Sequence, residues 1–569
     1  MTVHPFSPAG RTAALKRLAE ETFDLLVIGG GITGAGLARD AALRGLSVAL
    51  VEKEDFGSGT SGRSSKLVHG GLRYLVHGEV RLVRESARER AVLRRIAPHL
   101  VHPLPFLFPL FHGDSTLLYR TGISLYDWLA GATPAEQHRM VDAETVRHWA
   151  PGLREPVKCG IAYGEYITDD ARLTMENARS AAELGAAVAN HVRATGLRCE
   201  GERVAGAHLR DELTGDEFTA AARVVVIATG PWAELTLGQA GVTGPKPLLL
   251  TKGIHLLFRA ERIPVAGAVT LRLPDGTMGF AIPRWQYVYV GTTDLPYHGD
   301  LDRPGADPDA VRHLLRLVQH SFPDAGVTER DIVATWAGVR PLIAQPGKAP
   351  RDTSRHDEVW RIRPGLLAIV GGKLTTYRQM ANRVMAQVAR ELDRDLGDNR
   401  RTAEVPLPGA DVEGPGFGPF RDRMLREYDA AGVPGTVTDR IAWLYGKGMQ
   451  TLLEYGREDP AWLEPLAPGT PALRGEVRLA VEQEMATTLA DFMDRRSALL
   501  LFSDDQGRAA APEAARIMGT LLGWSEARRR AELEAYLALA GRHGPGGWEQ
   551  DAAAGNLAAA AEPVLHEQR

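Results

Sequence analysis

The sequence predicts a mixed α/β fold with three parts. They are a discontinuous domain built on a parallel sheet, an antiparallel-sheet (α+β) domain inserted into it, and an all-helical C-terminal domain. Three observations carry that expectation. Strand, tight glycine turn, helix and second strand follow one another over residues 24–52. Two further buried strands ending in glycine come much later, in RVVVIATG and GLLAIVGG. Beyond a stretch rich in proline and glycine, EVPLPGADVEGPGFGP, the pattern becomes helical.

The bulk numbers bound the answer. A chain of 569 residues is too long for one ordinary core, so roughly two to four domains are expected. A net charge of -4 argues against nucleic-acid binding, which usually needs a basic excess. The two cysteines, Cys159 and Cys199, build neither a disulfide framework nor a zinc spacing, so no metal is expected. The start, MTVHPFSPAGRTAALKRLAEE, lacks the apolar run of a signal peptide. No segment approaches the roughly 18 apolar residues of a membrane span. A cytoplasmic protein, soluble or peripherally bound, is expected.

In chain order, DLLVIGG (24–30) reads as a buried strand, 32–44 as a helix and 46–52 as a second strand. Residues 79–97 follow as an amphipathic helix, with Val80, Val83, Ala87 and Ala91 on one face. Residues 170–184 form another helix. VRATGLRC, RVAGAHLR and RVVVIATG then read as antiparallel strands closing on a buried one, and 254–294 is strand-rich. GLLAIVGG ends in glycine, and a helix starts at Thr375. GEVRLAVEQEMATTLADFMDRR and SEARRRAELEAYLALAGR are the clearest C-terminal helices.

Gly29, Gly31 and Gly34 form GxGxxG between a strand and a helix, with Glu52 at the end of the next strand. That is a Rossmann-like dinucleotide fingerprint. The glycines let a pyrophosphate reach the backbone, and the helix N-terminus supplies N–H donors. Glu52 can accept ribose hydroxyls and disfavours a 2′-phosphate. NAD and FAD both fit. An NAD domain usually continues as a run of βαβ units, whereas here the pattern breaks and returns at 223–233 and 365–377.

The ordered set DLLVIGGGITGAGLARDAALRGLSV, TSGRSSKLVHGGLRYL, YITDDARL, ATGPWA, TKGIHL, VGTTD, AGVRPL and VGGKLTTYR resembles the FAD-dependent glycerol-3-phosphate dehydrogenases. These are the aerobic, respiratory-type members of the D-amino-acid-oxidase-like flavoproteins. DFMDRRSALL is similar to their C-terminal domain. One departure is visible. The family's acidic residue after the Ser-Arg element is replaced by His356 in TSRHDEV, with Asp357 next.

The resemblance implies an oxidoreductase domain over 19–392, with FAD-binding parts at about 19–75, 158–235 and 355–392. Substrate-binding parts would be about 76–157 and 236–354. A helical domain over 400–545 and a disordered tail over 546–569 complete the expectation. The implied cofactor set is Gly29, Gly31, Gly34, Glu52, Thr60, Ser61, Ser65, Lys66, Gly70, Gly71, Gly230, Asp294, Gly372, Lys373, Leu374 and Thr375. Ser64, Ser65 and Lys66 are expected to donate to phosphate or ribityl oxygens, and Gly70 and Gly71 to pass under a flat ring.

Arg73, Arg340 and Lys373 are the expected clamp for a substrate phosphate, with Tyr74 adding a hydroxyl. His69, before the glycine pair, and His255, at the start of a strand, are alternative general bases. The implied reaction oxidises sn-glycerol 3-phosphate to dihydroxyacetone phosphate by hydride transfer to flavin. The implied catalytic residues are His255, His69 and Arg340, with one of the two histidines taking the C2 hydroxyl proton. Electrons would pass to membrane quinone. The alternatives are an oxidase that uses oxygen and forms hydrogen peroxide, or a related FAD-dependent amine or hydroxy-acid oxidoreductase. Membrane contact is carried by the resemblance. Composition reads the arginines of helix 79–97 as a solvated face balanced by Glu79, Glu85 and Glu89. The C-terminal domain is a candidate surface for oligomer or partner contacts, and a homodimer is an expected assembly.

Overall fold

The structure, a computed structural model, describes residues 3–70, 79–131, 137–239, 241–345 and 354–553. Strand Thr22–Ile28 lies at the centre of an eight-stranded sheet. Val48–Val51 and then Ala187–Ala189 run parallel to it on one side, Glu217–Ile227 and then Leu366–Gly371 on the other. Asp357–Arg363 closes that edge antiparallel. Helices Ile32–Leu43, Asp170–Glu183 and Tyr377–Leu392 pack on one face of this sheet. Burial on both sides explains why these strands read as unbroken apolar runs: Leu25, Val27, Val224 and Val226 are all fully buried.

The second sheet has ten strands and is mostly antiparallel. It includes His102–Phe111, Val157–Ile167, Leu248–Arg259, Met278–Arg284, Tyr287–Gly291 and Ile332–Ile343. Two of its strands correct the expected domain boundaries. Val157–Ile167 pairs with Leu67–Val68 on one side and His102–Phe111 on the other, so Leu67–Val68 and Val157–Ile167 both belong to this sheet and not to the nucleotide-binding one. The chain crosses between sheets near residues 66 and 168. An apolar run could serve either sheet; only pairing decides.

Helix Val80–Ile96 buries Val83, Ala87, Leu93 and Ile96, while Val80 and Ala91 are exposed, so its inner face is rotated from the expected one. The proline- and glycine-rich stretch from 404 is held against its neighbours. Leu407 donates to the Ile96 carbonyl at 2.8 Å and Gly409 to Glu176 at 2.9 Å. Beyond it lie helices Phe417–Ala430, Gly435–Tyr445, Gly448–Glu458, Arg474–Gln483, Ala511–Leu522 and Glu526–His543. A further helix, Gly547–Ala553, corrects the start of the expected disordered tail; its Trp548 is buried against Val311 and Leu314. Residues 554–569 lie outside the described residues.

The C-terminal domain is locked to the nucleotide-binding domain by buried charge. Arg63 makes two hydrogen bonds to Asp494, at 2.9 and 2.6 Å. Arg495 and Arg496 both reach Asp55, and Arg172 holds Glu484. No described helix is long and apolar enough to cross a membrane.

Candidate functional site

One large cavity, about 1630 Å³, runs along the carboxyl ends of the parallel strands and on into the second sheet. It begins at the N-terminus of helix Ile32–Leu43, where Gly31 is the cap and offers no side chain. The Ile32 N–H is taken by Ser61 Oγ at 2.9 Å, which ties the loop after the second strand to the glycine turn. Gly29, Gly31, Ile32 and Thr33 line the wall. Gly34 does not. A Cβ there would lie 1.8 Å from the Gly29 carbonyl oxygen, so this glycine allows the helix to meet the strand.

Glu52 lies at the same end, fixed by the N–H groups of Gly30 at 2.6 Å and Glu54 at 3.0 Å. Burial raises its pKa, and the two N–H bonds oppose that shift. Next to it are three residues that sequence reasoning did not assign, Lys53, Trp232 and Asp302. Lys53 Nζ sits 4.3 Å from the Trp232 ring centre, and Asp302 accepts from the Trp232 indole N–H at 2.8 Å. The quoted ATGPWA carried Trp232 without giving it a role.

A glycine-capped helix N-terminus, an adjacent fixed carboxylate and a long open channel fit an adenine dinucleotide lying across the strand ends. Thr60, Ser61, Gly230, Asp294, Gly372, Lys373, Leu374 and Thr375 all line the same cavity. These residues would hold the cofactor.

The loop 60–70 behaves differently from expectation at three positions. Lys66 does not line the cavity. Its Nζ is buried on Asp170 at 2.5 Å and the Gly62 carbonyl at 3.2 Å. Ser64 also gives its N–H and hydroxyl to Asp170, at 3.0 and 2.7 Å. Most of the loop's donors therefore serve a carboxylate of the protein, and Asp170 was visible beforehand in YITDDARL. Gly70 is likewise buried off the cavity. A Cβ there would be 2.0 Å from the Tyr126 hydroxyl, so a phenol and not a cofactor ring requires the glycine. Gly71, Arg73 and Tyr74 lie outside the described residues.

Farther along, cations gather. Arg340 projects from strand Ile332–Ile343 and bonds Thr292 Oγ1 at 2.9 Å, the Thr293 carbonyl at 3.2 Å and Asp294 at 3.3 Å. Arg355, not assigned from sequence, reaches the other oxygen of Asp294 at 4.0 Å. Lys373 Nζ donates to the His69 carbonyl at 3.1 Å. All three cationic side chains line the cavity. His356, the residue that departs from the family pattern, is absent from its wall and sits 3.4 Å from Glu358.

The two histidines are placed differently. His69 lines the cavity. Burial, then Lys373, Arg355 and Arg90, hold its pKa well below the usual imidazole range. His255 lies within strand Leu248–Arg259, not at its start, and is 1% exposed. It does not line the cavity. Its Nε2 is 2.8 Å from Ser65 Oγ, which does, and its ring stacks on Trp336 at 4.7 Å. Burial, then Arg340 and Lys66, lower its pKa as well. The second sheet and its neighbouring helix give the cavity an apolar part lined by Phe106, Phe108, Ile123, Tyr163 and Phe280.

Residues 24–378 match the family described as FAD dependent oxidoreductase, and 400–529 match the C-terminal domain of alpha-glycerophosphate oxidase. The chain is 37% identical over 534 residues to an aerobic glycerol-3-phosphate dehydrogenase of Staphylococcus haemolyticus, covering 92% of this chain and 95% of that one. It is 37% identical over 543 residues to one of Bacillus subtilis, covering 94% and 97%. It superposes on the FAD-complexed glycerol-3-phosphate dehydrogenase of Bacillus halodurans with a TM-score of 0.78 and 33% identity, covering 94% and 98%.

Proposed function

Because this chain belongs to the FAD-dependent oxidoreductases, and within them to the aerobic glycerol-3-phosphate dehydrogenases, we propose that its cavity oxidises sn-glycerol 3-phosphate to dihydroxyacetone phosphate. The observation that carries the reading is the gathering of Arg340, Arg355 and Lys373 in one cavity with the dinucleotide crevice. A phosphate monoester is close to a dianion at neutral pH. Paired arginine forks suit its oxygens, and the lysine adds a point charge. FAD, when bound, supplies the hydride acceptor. Either His69 or His255, held neutral by burial and cations, takes the hydroxyl proton.

The test is a substrate series assayed with an artificial electron acceptor. Glycerol 3-phosphate should turn over, while glycerol, which lacks the phosphate, should lose at least ~10²-fold in kcat/KM, about 3 kcal/mol of charge-assisted hydrogen bonding. Equal turnover of the two would end the clamp assignment.

The electrons pass to a membrane quinone, with the chain bound peripherally. Helix Thr116–Ala130 supports this part. Ile123, Tyr126 and Leu129 face inward, yet Leu117, Leu118, Leu125 and Trp128 are 76%, 68%, 45% and 70% exposed. Arg84 lies 5.5 Å over the Trp128 ring, and Arg81 and Arg88 are exposed on the adjacent helix Val80–Ile96. Glu85 and Glu89 of that helix pair with Arg383 and Arg378 instead of balancing those arginines. Apolar side chains flanked by arginine suit an anionic bilayer surface. Leu118 and Ile123 also line the apolar part of the cavity. Sedimentation with phosphatidylglycerol vesicles should carry the protein down, and Trp128→Ser with Leu117→Ser should release it. Equal sedimentation of both would exclude this surface.

A further inference from the structure

His255 can take a proton from the substrate only through another group. It is 1% exposed and absent from the cavity wall. Its Nε2 meets Ser65 Oγ at 2.8 Å, and Ser65 lines the cavity. The pair is held on several sides. Tyr289 donates its hydroxyl to the Ser65 carbonyl at 2.8 Å, and Trp336 donates to the Ser64 carbonyl at 3.3 Å while stacking on the imidazole at 4.7 Å. The Tyr289 ring also meets the imidazole edge-on at 6.1 Å. Arg340 and Lys66 are the charged groups acting on the ring, and Nδ1 has no hydrogen-bond partner among the described residues.

We propose that Ser65 is a catalytic residue, the proton carrier between the substrate hydroxyl and His255; this rests on the alcohol-oxidation reading above. The resting ring is the Nδ1–H tautomer and accepts at Nε2. As C2 loses its hydrogen with the electron pair to the flavin, the O–H bond at C2 breaks and its proton moves to Ser65 Oγ. The original Ser65 proton moves to His255 Nε2, and the C2 carbonyl forms. Atoms and electrons balance, and Ser65 ends as it began. Ser65 was expected from sequence only as a cofactor donor. Its distance to His255 gives it this second role.

The test is anaerobic stopped-flow reduction of the bound flavin by glycerol 3-phosphate at several pH values, in wild type, Ser65→Ala and Ser65→Thr. Ser65→Ala should keep its FAD and its half-saturating substrate concentration. Its limiting reduction rate should fall by ~10²-fold or more, the scale of general-base assistance. It should also lose the wild-type pH inflection, and Ser65→Thr should restore both. Ser65→Gly removes the same hydroxyl and serves if Ser65→Ala does not fold. A wild-type rate and pH profile in Ser65→Ala would overturn the proposal and leave His69 as the base. Loss of FAD, or weaker substrate binding with an unchanged limiting rate, would overturn it by making Ser65 a ligand. Failure of wild type itself to be reduced would remove the functional reading, and the relay with it.

Discussion

Two charged regions of this molecule use the same residue types in opposite ways. At the joint between domains, Asp55 meets Arg495 and Arg496, Asp494 meets Arg63 and Arg495, and Asp491 meets Arg495 and His191. Each buried carboxylate there is answered by a guanidinium. In the cavity, Arg340 and Arg355 lean on one shared carboxylate, Asp294, and Lys373 lies on a backbone carbonyl. The joint settles its electrostatics internally and serves as a clasp. The cavity sets Arg340, Arg355 and Lys373 along an open wall, where a bound dianion can reach them. Arg495 and Arg496 thus read as structure and Arg340 as function, according to whether they border the cavity.

Substitutions should separate the two regions. The largest effect is expected at the joint. Arg496→Ala leaves Asp55 short of a buried partner and should cost about 3–5 kcal/mol of stability, read by chemical denaturation. The protein that stays folded should keep its KM. A stability change under 1 kcal/mol would show that the clasp is dispensable.

Next comes Arg340→Ala, which should raise KM for glycerol 3-phosphate roughly 10²-fold, about 3 kcal/mol of charge-assisted hydrogen bonding. Melting temperature should fall by less than in Arg496→Ala, since Arg340 borders the cavity and Asp294 keeps Arg355. A drop in stability as large as that of Arg496→Ala would erase the contrast.

Acid should weaken the protein in two stages. Burial depresses His102 and His543 to about 4, and lowers His69 and His255 too. A histidine with a depressed folded pKa contributes stability above its unfolded value near 6.5, lost as pH falls from there towards about 4. His191, raised beside Asp491, works the other way and is outnumbered. Below about 4 the joint carboxylates follow, because Arg63 and Arg495 hold Asp494 well under the usual range despite its burial. Denaturation midpoints measured from pH 8 to 3 should show an early decline and a steeper later one; a flat response between 6.5 and 4 would contradict the histidine assignment.

The smallest effect is expected at Arg355→Ala, about tenfold in KM, ~1.4 kcal/mol. An effect equal to that of Arg340→Ala would make the two arginines equal partners.

Much of the fold was legible because strands buried on both faces write continuous apolar runs, as in DLLVI and RVVVI. What was not legible is partnership. Nothing in VKCGIAYGEYI says that it pairs with 102–111 and leaves the nucleotide-binding sheet, since periodicity reports burial and not neighbours. The same limit governs the site. Gly29, Gly31, Arg340 and Lys373 could be singled out from motif position. The capture of Lys66 and Ser64 by Asp170, about a hundred residues away, could not. Nor could the place of His255 behind Ser65, which depends on how two strands and a loop meet. Arg355 was within reach: it stands in the quoted TSRHDEV, where only its neighbour drew notice.

The most direct test of the central claim is the anaerobic visible spectrum of the purified protein before and after glycerol 3-phosphate is added. An oxidised flavin band should be present and should bleach on addition, joining cofactor and substrate to one cavity. A flavin band that glycerol 3-phosphate leaves unchanged would contradict the claim, because the dinucleotide crevice would stand while the cation cluster served another ligand.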